Sequence, residues 1–230
     1  MSSQAPPVTD SFFGRLGAAL APHKYSVTVG IILLAHIVLV VWGGRSAIMF
    51  TPVVLLSMYL LGFVFLLAQE RSRIARLNLV VGLIALGLSG LNMQYRGGFC
   101  LVSAVSGHAL FLFLLIVFML GQLFRKKAVT VDTIMAGVII YLLMAGFWAQ
   151  LYALAMLLDP ASIHYPATHG GQPYMALYYF SVTTLTTAGF GDIVPVSDLA
   201  RILAAYESLL GQVYLATFVA LLMGRHFANR

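Results

Sequence analysis

Residues 172–195 read QPYMALYYFSVTTLTTAGFGDIVP. The stretch opens at Pro173, a residue suited to the first turn of a helix. Residues 174–186 are apolar and long enough for about three helical turns. They are too short to cross a bilayer, which takes roughly 20 residues. Thr187-Ala188-Gly189-Phe190-Gly191-Asp192 follows. Glycine adopts backbone angles that strain other residues. Glycine at alternate positions lets successive carbonyls face one side, which an ordinary strand forbids. A short half-helix leading into such a strand is suited to a re-entrant segment. Irregular backbone of this kind exists at membrane depth only where it is buried in protein or lines a cavity.

The rest of the chain supplies the membrane context. Of 230 residues, 61% are hydrophobic and 9% charged, and the mean hydropathy is +0.95. A soluble domain carries about 45–50% and about 25%. Thirteen basic and seven acidic side chains are too few to coat a globule of this size. A soluble enzyme is therefore excluded, and no catalytic residues are expected. The net charge of +6 follows membrane topology and implies no nucleic acid. One cysteine, Cys100, cannot form an intrachain disulfide.

Six apolar runs are predicted to span: 25–42, 47–68, 77–93, 99–120, 133–158 and 199–224. The third is the shortest and is rich in glycine. Residues 159–198, between the fifth and sixth, are too polar to span and too apolar for an ordinary loop. With both termini inside, the inner segments hold Arg15, Lys24, Arg71, Arg73, Arg76, Arg125, Lys126, Lys127, Arg225 and Arg230. The outer segments hold only Arg45, Arg96 and Arg201. This is a positive-inside bias, and it puts the 159–198 connection outside. No cleavable signal is evident, and residues 11–24 can form an interfacial helix through Phe12, Phe13, Leu16 and Leu20.

The expected fold is an all-α membrane protein of six transmembrane helices, with a re-entrant pore helix and filter between the fifth and sixth. Residues 1–24 form a cytoplasmic tail, and 25–120 a peripheral domain of four transmembrane helices. Residues 121–132 form a cytoplasmic linker, 133–224 the pore domain, and 225–230 a short cytoplasmic tail. One subunit carries one filter segment, so a homotetramer is the natural closure. Four copies would stack rings of carbonyl oxygens that replace an ion's hydration shell. The Thr187 hydroxyl would add a ring at the inner end.

The run TTLTTAGFGD, residues 183–192, resembles the pore signature of tetrameric potassium channels, T-x-T-T-V-G-Y-G-D. Pro195 and the phrase ESLLGQVYLATFVALLMG, residues 207–224, extend the resemblance, which looks like a small bacterial-type member. It implies a passive potassium-selective channel, with potassium bound by Thr187, Ala188, Gly189, Phe190 and Gly191 and no other cofactor. Asp192 would stand at the filter mouth, with Tyr179 and Phe180 in an aromatic cuff around the filter and Thr183 in its support. Gly211 would be an inner-helix hinge. Leu215, Val219 and Leu222, spaced to stay near one face, would line the cavity. Two departures loosen the filter's support. Ala188 stands where valine is usual, and Phe190 where tyrosine would supply a phenolic hydrogen bond. The family's frequent pore-helix tryptophans are absent. The implied location is the cell (inner) membrane, with lipid as solvent and both termini cytoplasmic.

Other readings compete. A weakly selective monovalent cation channel is compatible with the altered filter packing. A potassium transporter subunit would show repeats of the pore unit, and here there is one. A phosphate-binding glycine loop would need a third glycine. The fourth span, 99–120, contains no arginine, so it has no charge for a membrane potential to move. Steep voltage gating is not expected. Taken as a complete chain, with seven residues after Met223, it is expected to carry no nucleotide- or calcium-binding regulatory domain there; a truncated chain is the alternative. His36 and His108 lie within spans and are expected as neutral hydrogen-bonded groups, whereas His164 and His169 are expected in a solvated loop. Arg125-Lys126-Lys127 can meet anionic lipid. Ser103 and Gly107 form a small-xxx-small pair for close helix packing. Glu207, nine residues past Asp198, falls about 13 Å down its helix, level with the lower filter. A bare carboxylate there is costly, so it should be protonated or hydrogen-bonded, with Thr183, Thr184 and Tyr178 as expected partners.

Overall fold

The computed structural model describes residues 73–95, 98–126, 129–165 and 173–228, together with 25–28, 30 and 34. Helix α1 is Arg73–Tyr95, α2 is Gly98–Arg125 and α3 is Val131–Leu158. A short strand β1, Ile163–His164, precedes α4, Pro173–Leu185, and β2, Val194–Pro195, precedes α5, Asp198–Ala228. Among the described residues, α2, α3 and α5 are long and apolar enough to cross a membrane. The predicted spans 25–42 and 47–68 lie outside the described residues, apart from 25–28, 30 and 34. The third predicted span is a longer helix than its apolar run suggested. α1 has 23 residues, because its polar ends continue the helix.

Consecutive helices pack on one another. Gly107 of α2 brings the backbones of α1 and α2 close, since a Cβ there would stand 3.1 Å from that of Ala85. Next to it, Ser89 Oγ donates to the Ala85 carbonyl and meets His108 Nε2, each at 2.8 Å. This side-chain contact joins α1 to α2. Deeper in, Phe111, Leu112 and Met119 of α2 and Ile139, Ile140 and Leu143 of α3 form a buried core.

α3 starts with a capping box, in which Thr130 accepts from the Thr133 N–H while the Thr133 hydroxyl accepts from the Thr130 N–H. Asp132, in its first turn, accepts from the backbone N–H of Tyr25 at 3.0 Å. The start of the first predicted span therefore sits beside the start of α3. At the same end, Arg225 of α5 donates to the carbonyls of Leu123 and Phe124 at the C-terminus of α2. A cation there satisfies orphan carbonyls and complements the helix dipole.

At the opposite end, β1 and β2 pair antiparallel, with Ile163 opposite Pro195. Ser162 O accepts from the N–H groups of Val196 and Ser197 at 2.7 and 3.2 Å. The chain before α4 and the chain after residue 192 are thus tied together. α5 differs from the other long helices. Only 11% of its most apolar stretch is buried, against 56% for α3. Its buried residues, Ala200, Glu207 and Gly211, lie on one face, flanked by half-buried ones such as Leu203, Tyr214 and Phe218, and much of the remaining surface is exposed.

Candidate functional site

α4 has 13 residues, about 20 Å of helix, which is short of the roughly 30 Å of hydrocarbon in a bilayer. Ala176, Leu177, Phe180, Ser181 and Leu185 are buried at helical spacing on the side of α4 that packs on α3, and Thr183 is buried as well. Tyr141 of α3 donates its hydroxyl to Leu185 O at 2.9 Å. Ser208 of α5 donates to Thr184 O at 3.2 Å. Two C-terminal carbonyls that the helix cannot satisfy itself thereby gain donors.

Beyond α4 the backbone alternates. Thr187, Gly189 and Gly191 have φ of +57°, +49° and +80°. The intervening Ala188 and Phe190 are not left-handed. The glycines are required by this conformation and not by crowding, because a Cβ at either would meet nothing within 4 Å. Thr187 is the unexpected member. A β-branched residue in the left-handed region carries roughly 1–2 kcal/mol of strain, and such strain gathers at functional sites. The segment hangs on α4 through Gly189 N–H to Thr183 O at 3.1 Å and Thr187 N–H to Thr184 O at 2.9 Å. Thr183 itself is buried, with its hydroxyl donating to Phe180 O. Residues 186–192 are exposed in the single subunit.

The two aromatic residues expected around this segment divide. Tyr179 stacks on Phe190 with ring centroids 6.3 Å apart and planes 8° apart, and its hydroxyl lies near Asp192. Phe180 points the other way, buried against Tyr152 with centroids 4.9 Å apart. Neighbouring helix positions differ by about 100°, so only one of the pair can face the filter segment. Stacking on Tyr179 occupies the ring that lacks the usual phenolic hydroxyl. Ala188 is exposed.

Glu207 is fully buried, as its position on the Gly211 face implied. Its partners differ from the expected Thr183, Thr184 and Tyr178. Oε2 accepts from the Tyr152 hydroxyl of α3 at 2.5 Å, and Oε1 contacts Ser181 Oγ of α4. Ser181 Oγ also reaches Ala145 O at 2.8 Å. One carboxyl group therefore joins α3, α4 and α5. At Gly211, a Cβ would stand 2.3 Å from Leu185 O. The helix is continuous through it, so close approach already explains this glycine. Leu215 and Val219 are exposed, whereas Leu222 is half-buried.

The sequence reading overlooked Gln212, whose Nε2 donates to Thr187 Oγ1 at 3.3 Å. The available signal was a polar amide within an apolar helix, four residues after Ser208. Among the described residues no cluster of three or more His, Cys, Asp or Glu side chains is assembled. The oxygens the segment offers are neutral, from backbone carbonyls and one hydroxyl. Such donors suit a weakly held alkali cation.

A family profile described as ion channel matches residues 128–226. The chain is also similar to two pore potassium channel b of Oryza sativa subsp. japonica, 45% identical over 42 residues, which is 18% of this chain and 12% of that protein. It is similar to voltage-gated potassium channel Kch of Escherichia coli (strain K12), 40% identical over 50 residues, which is 22% of this chain and 12% of the relative. Each match spans about an eighth of the relative's length. No solved structure matches significantly.

Proposed function

We propose that this chain forms a homotetrameric, passive potassium channel of the pore-loop type, a reading supported by the ion channel profile over residues 128–226 and by the short similarities to two potassium channels. Each subunit contributes α3 as outer helix, α4 as re-entrant pore helix, residues 187–191 as filter and α5 as inner helix. The observation that carries the reading is the alternation of left-handed backbone at Thr187, Gly189 and Gly191 in an exposed segment. That alternation favours a single-sided row of carbonyls, and four rows around an axis make ion-sized cages. A lone subunit leaves the segment and most of α5 uncovered, which supports closure by further copies.

Six spans with both ends cytoplasmic follow from the basic residues. The meeting of Tyr25, Asp132 and Arg225 at one end of the molecule supports this parity. α2 has no charge between Gly98 and its terminal Arg125, so steep voltage gating is not part of the proposal. Asp192 stands at the outer mouth, near Tyr179. The exposed Leu215 and Val219 lie below Gln212 at helical spacing and line the cavity. Leu222 contributes at most its edge.

The experiment is reconstitution of purified protein into vesicles with opposed potassium and sodium gradients. Potassium-selective flux that Thr187→Ala weakens is expected. Equal permeability to the two ions would favour a weakly selective cation channel, the reading to which the small Ala188 lends support.

A further inference from the structure

Ser208, Gly211 and Gln212 share one side of α5 through their spacing of three and four residues. All three meet the end of α4 and the residues just after it. Ser208 donates to Thr184 O at 3.2 Å. Gly211 lets Leu185 O come to within 2.3 Å of where a Cβ would stand. Gln212 Nε2 donates to Thr187 Oγ1 at 3.3 Å. The first two contacts involve backbone, so they fix how far α5 stands from α4. The reach of the carboxamide to the hydroxyl is thereby set by the packing of the two helices. Gln212 is exposed in the single subunit, between Leu210 and Val213, which are exposed too. A carboxamide facing lipid tails is costly. Its bond to Thr187 places it on the filter side instead.

We propose that Gln212 is a specificity-determining residue, whose amide N–H occupies one lone pair of the Thr187 hydroxyl and weakens cation binding at the innermost ring. The inference rests on the tetrameric potassium-channel reading above. A hydroxyl oxygen has two acceptor lone pairs. One receives the Gln212 N–H, which leaves one for an ion. The amide hydrogen also brings the positive end of a dipole beside the site. In a four-fold assembly all four oxygens are weakened together. Conduction requires sites weak enough to release the ion, and Gln212 supplies that weakness at the cavity end.

Barium has the size of potassium and twice its charge, so its block from the cytoplasmic side reports the oxygen field at this ring. The test uses the full-length reconstituted protein, whose potassium selectivity is read in the same bilayers before barium is added. Gln212→Leu should tighten barium block about five- to tenfold, the equivalent of one lost neutral hydrogen bond. Gln212→Glu, close to glutamine in volume, should tighten it further, because a carboxylate accepts and cannot donate. In a Thr187→Ala background, Gln212→Leu should change block by less than about twofold, since the oxygen it acts on is gone. Unchanged or weaker block in Gln212→Leu overturns the proposal, as does an equal effect in both backgrounds. If Gln212→Leu does not assemble, Gln212→Glu decides by the same measure. A protein with no potassium selectivity overturns the parent reading and this one together. A selective protein indifferent to Gln212 overturns this one alone.

Discussion

Thr187 combines two demands that oppose each other. Its hydroxyl is an oxygen for the proposed innermost site, and its backbone sits at φ +57°, where a branched side chain is strained. Replacement separates the two. Thr187→Ala and Thr187→Gly both remove the oxygen, and only glycine relieves the backbone. Thr187→Gly should therefore be the more stable of the two by about 1 kcal/mol. Both should lose the stabilisation that potassium confers on the assembled protein. Thermal unfolding of the purified variants in potassium and in sodium measures both effects. A potassium-dependent shift that persists in both variants would detach Thr187 from the ion site. Glu207 is a second residue with a defined network. Glu207→Ala leaves the Tyr152 hydroxyl without its acceptor and should cost about 1–3 kcal/mol. Glu207→Gln can accept from Tyr152 and donate to Ser181, so it should cost less. Equal losses in unfolding experiments would show that the hydrogen bonds do not brace the three helices. If the protein and Glu207→Gln give the same current–pH curve, this carboxyl group is not a pH sensor.

At the scale of the element, two glycines decide how α5 sits. At Gly211 the obstacle is the Leu185 backbone carbonyl, and at Gly137 it is the ring of Phe218, 2.1 Å from a built Cβ. Tyr214 donates to Gly137 O at 2.8 Å and stacks with Tyr141 and Phe218. A side chain can turn aside more cheaply than a helix backbone can move. Gly137→Ala should therefore cost about 1–3 kcal/mol of stability, and Gly211→Ala at least as much. Gly211→Ala should also shift open probability in single-channel records, because it pushes α5 away from α4. Unfolding midpoints that rank the two variants in reverse would reject this packing account.

The elements were the legible part of the sequence. A short helix was expected over 174–186 and is observed as Pro173–Leu185, because proline starts and glycine alternation stops the helix at readable positions. α3 and α5 followed from long apolar runs. Partners across the fold were not legible. Ser181 and Tyr152 for Glu207, and Thr187 for Gln212, lie 26, 55 and 25 residues away. No local spacing encodes such pairs. Phe180 packs on Tyr152 and not beside Phe190 for a local reason. Two adjacent aromatics look alike in sequence, and helical rotation turns only one of them toward the filter.

At the scale of the whole molecule, the proposed tetramer accounts for surfaces that one subunit leaves open. α5 leaves Leu209, Val213, Val219 and Met223 exposed, and residues 186–192 after α4 are exposed as well. A tetramer gives these surfaces neighbours, an aqueous path, or lipid. The described helices before the pore carry no charged stripe. α2 holds His108 in a bond to Ser89, and its basic residue, Arg125, lies in its last turn. Macroscopic conductance should therefore vary shallowly with voltage, reflecting ion movement within the filter. A steep conductance–voltage curve equivalent to several gating charges, each worth about 2.3 kcal/mol per 100 mV, would contradict this. The central claim is that four copies of residues 187–191 strip and select potassium. The most direct test is the reversal potential of the purified protein in a planar bilayer, with potassium on one side and sodium on the other. A reversal potential strongly biased toward the potassium equilibrium value is predicted, and one near zero would contradict the claim.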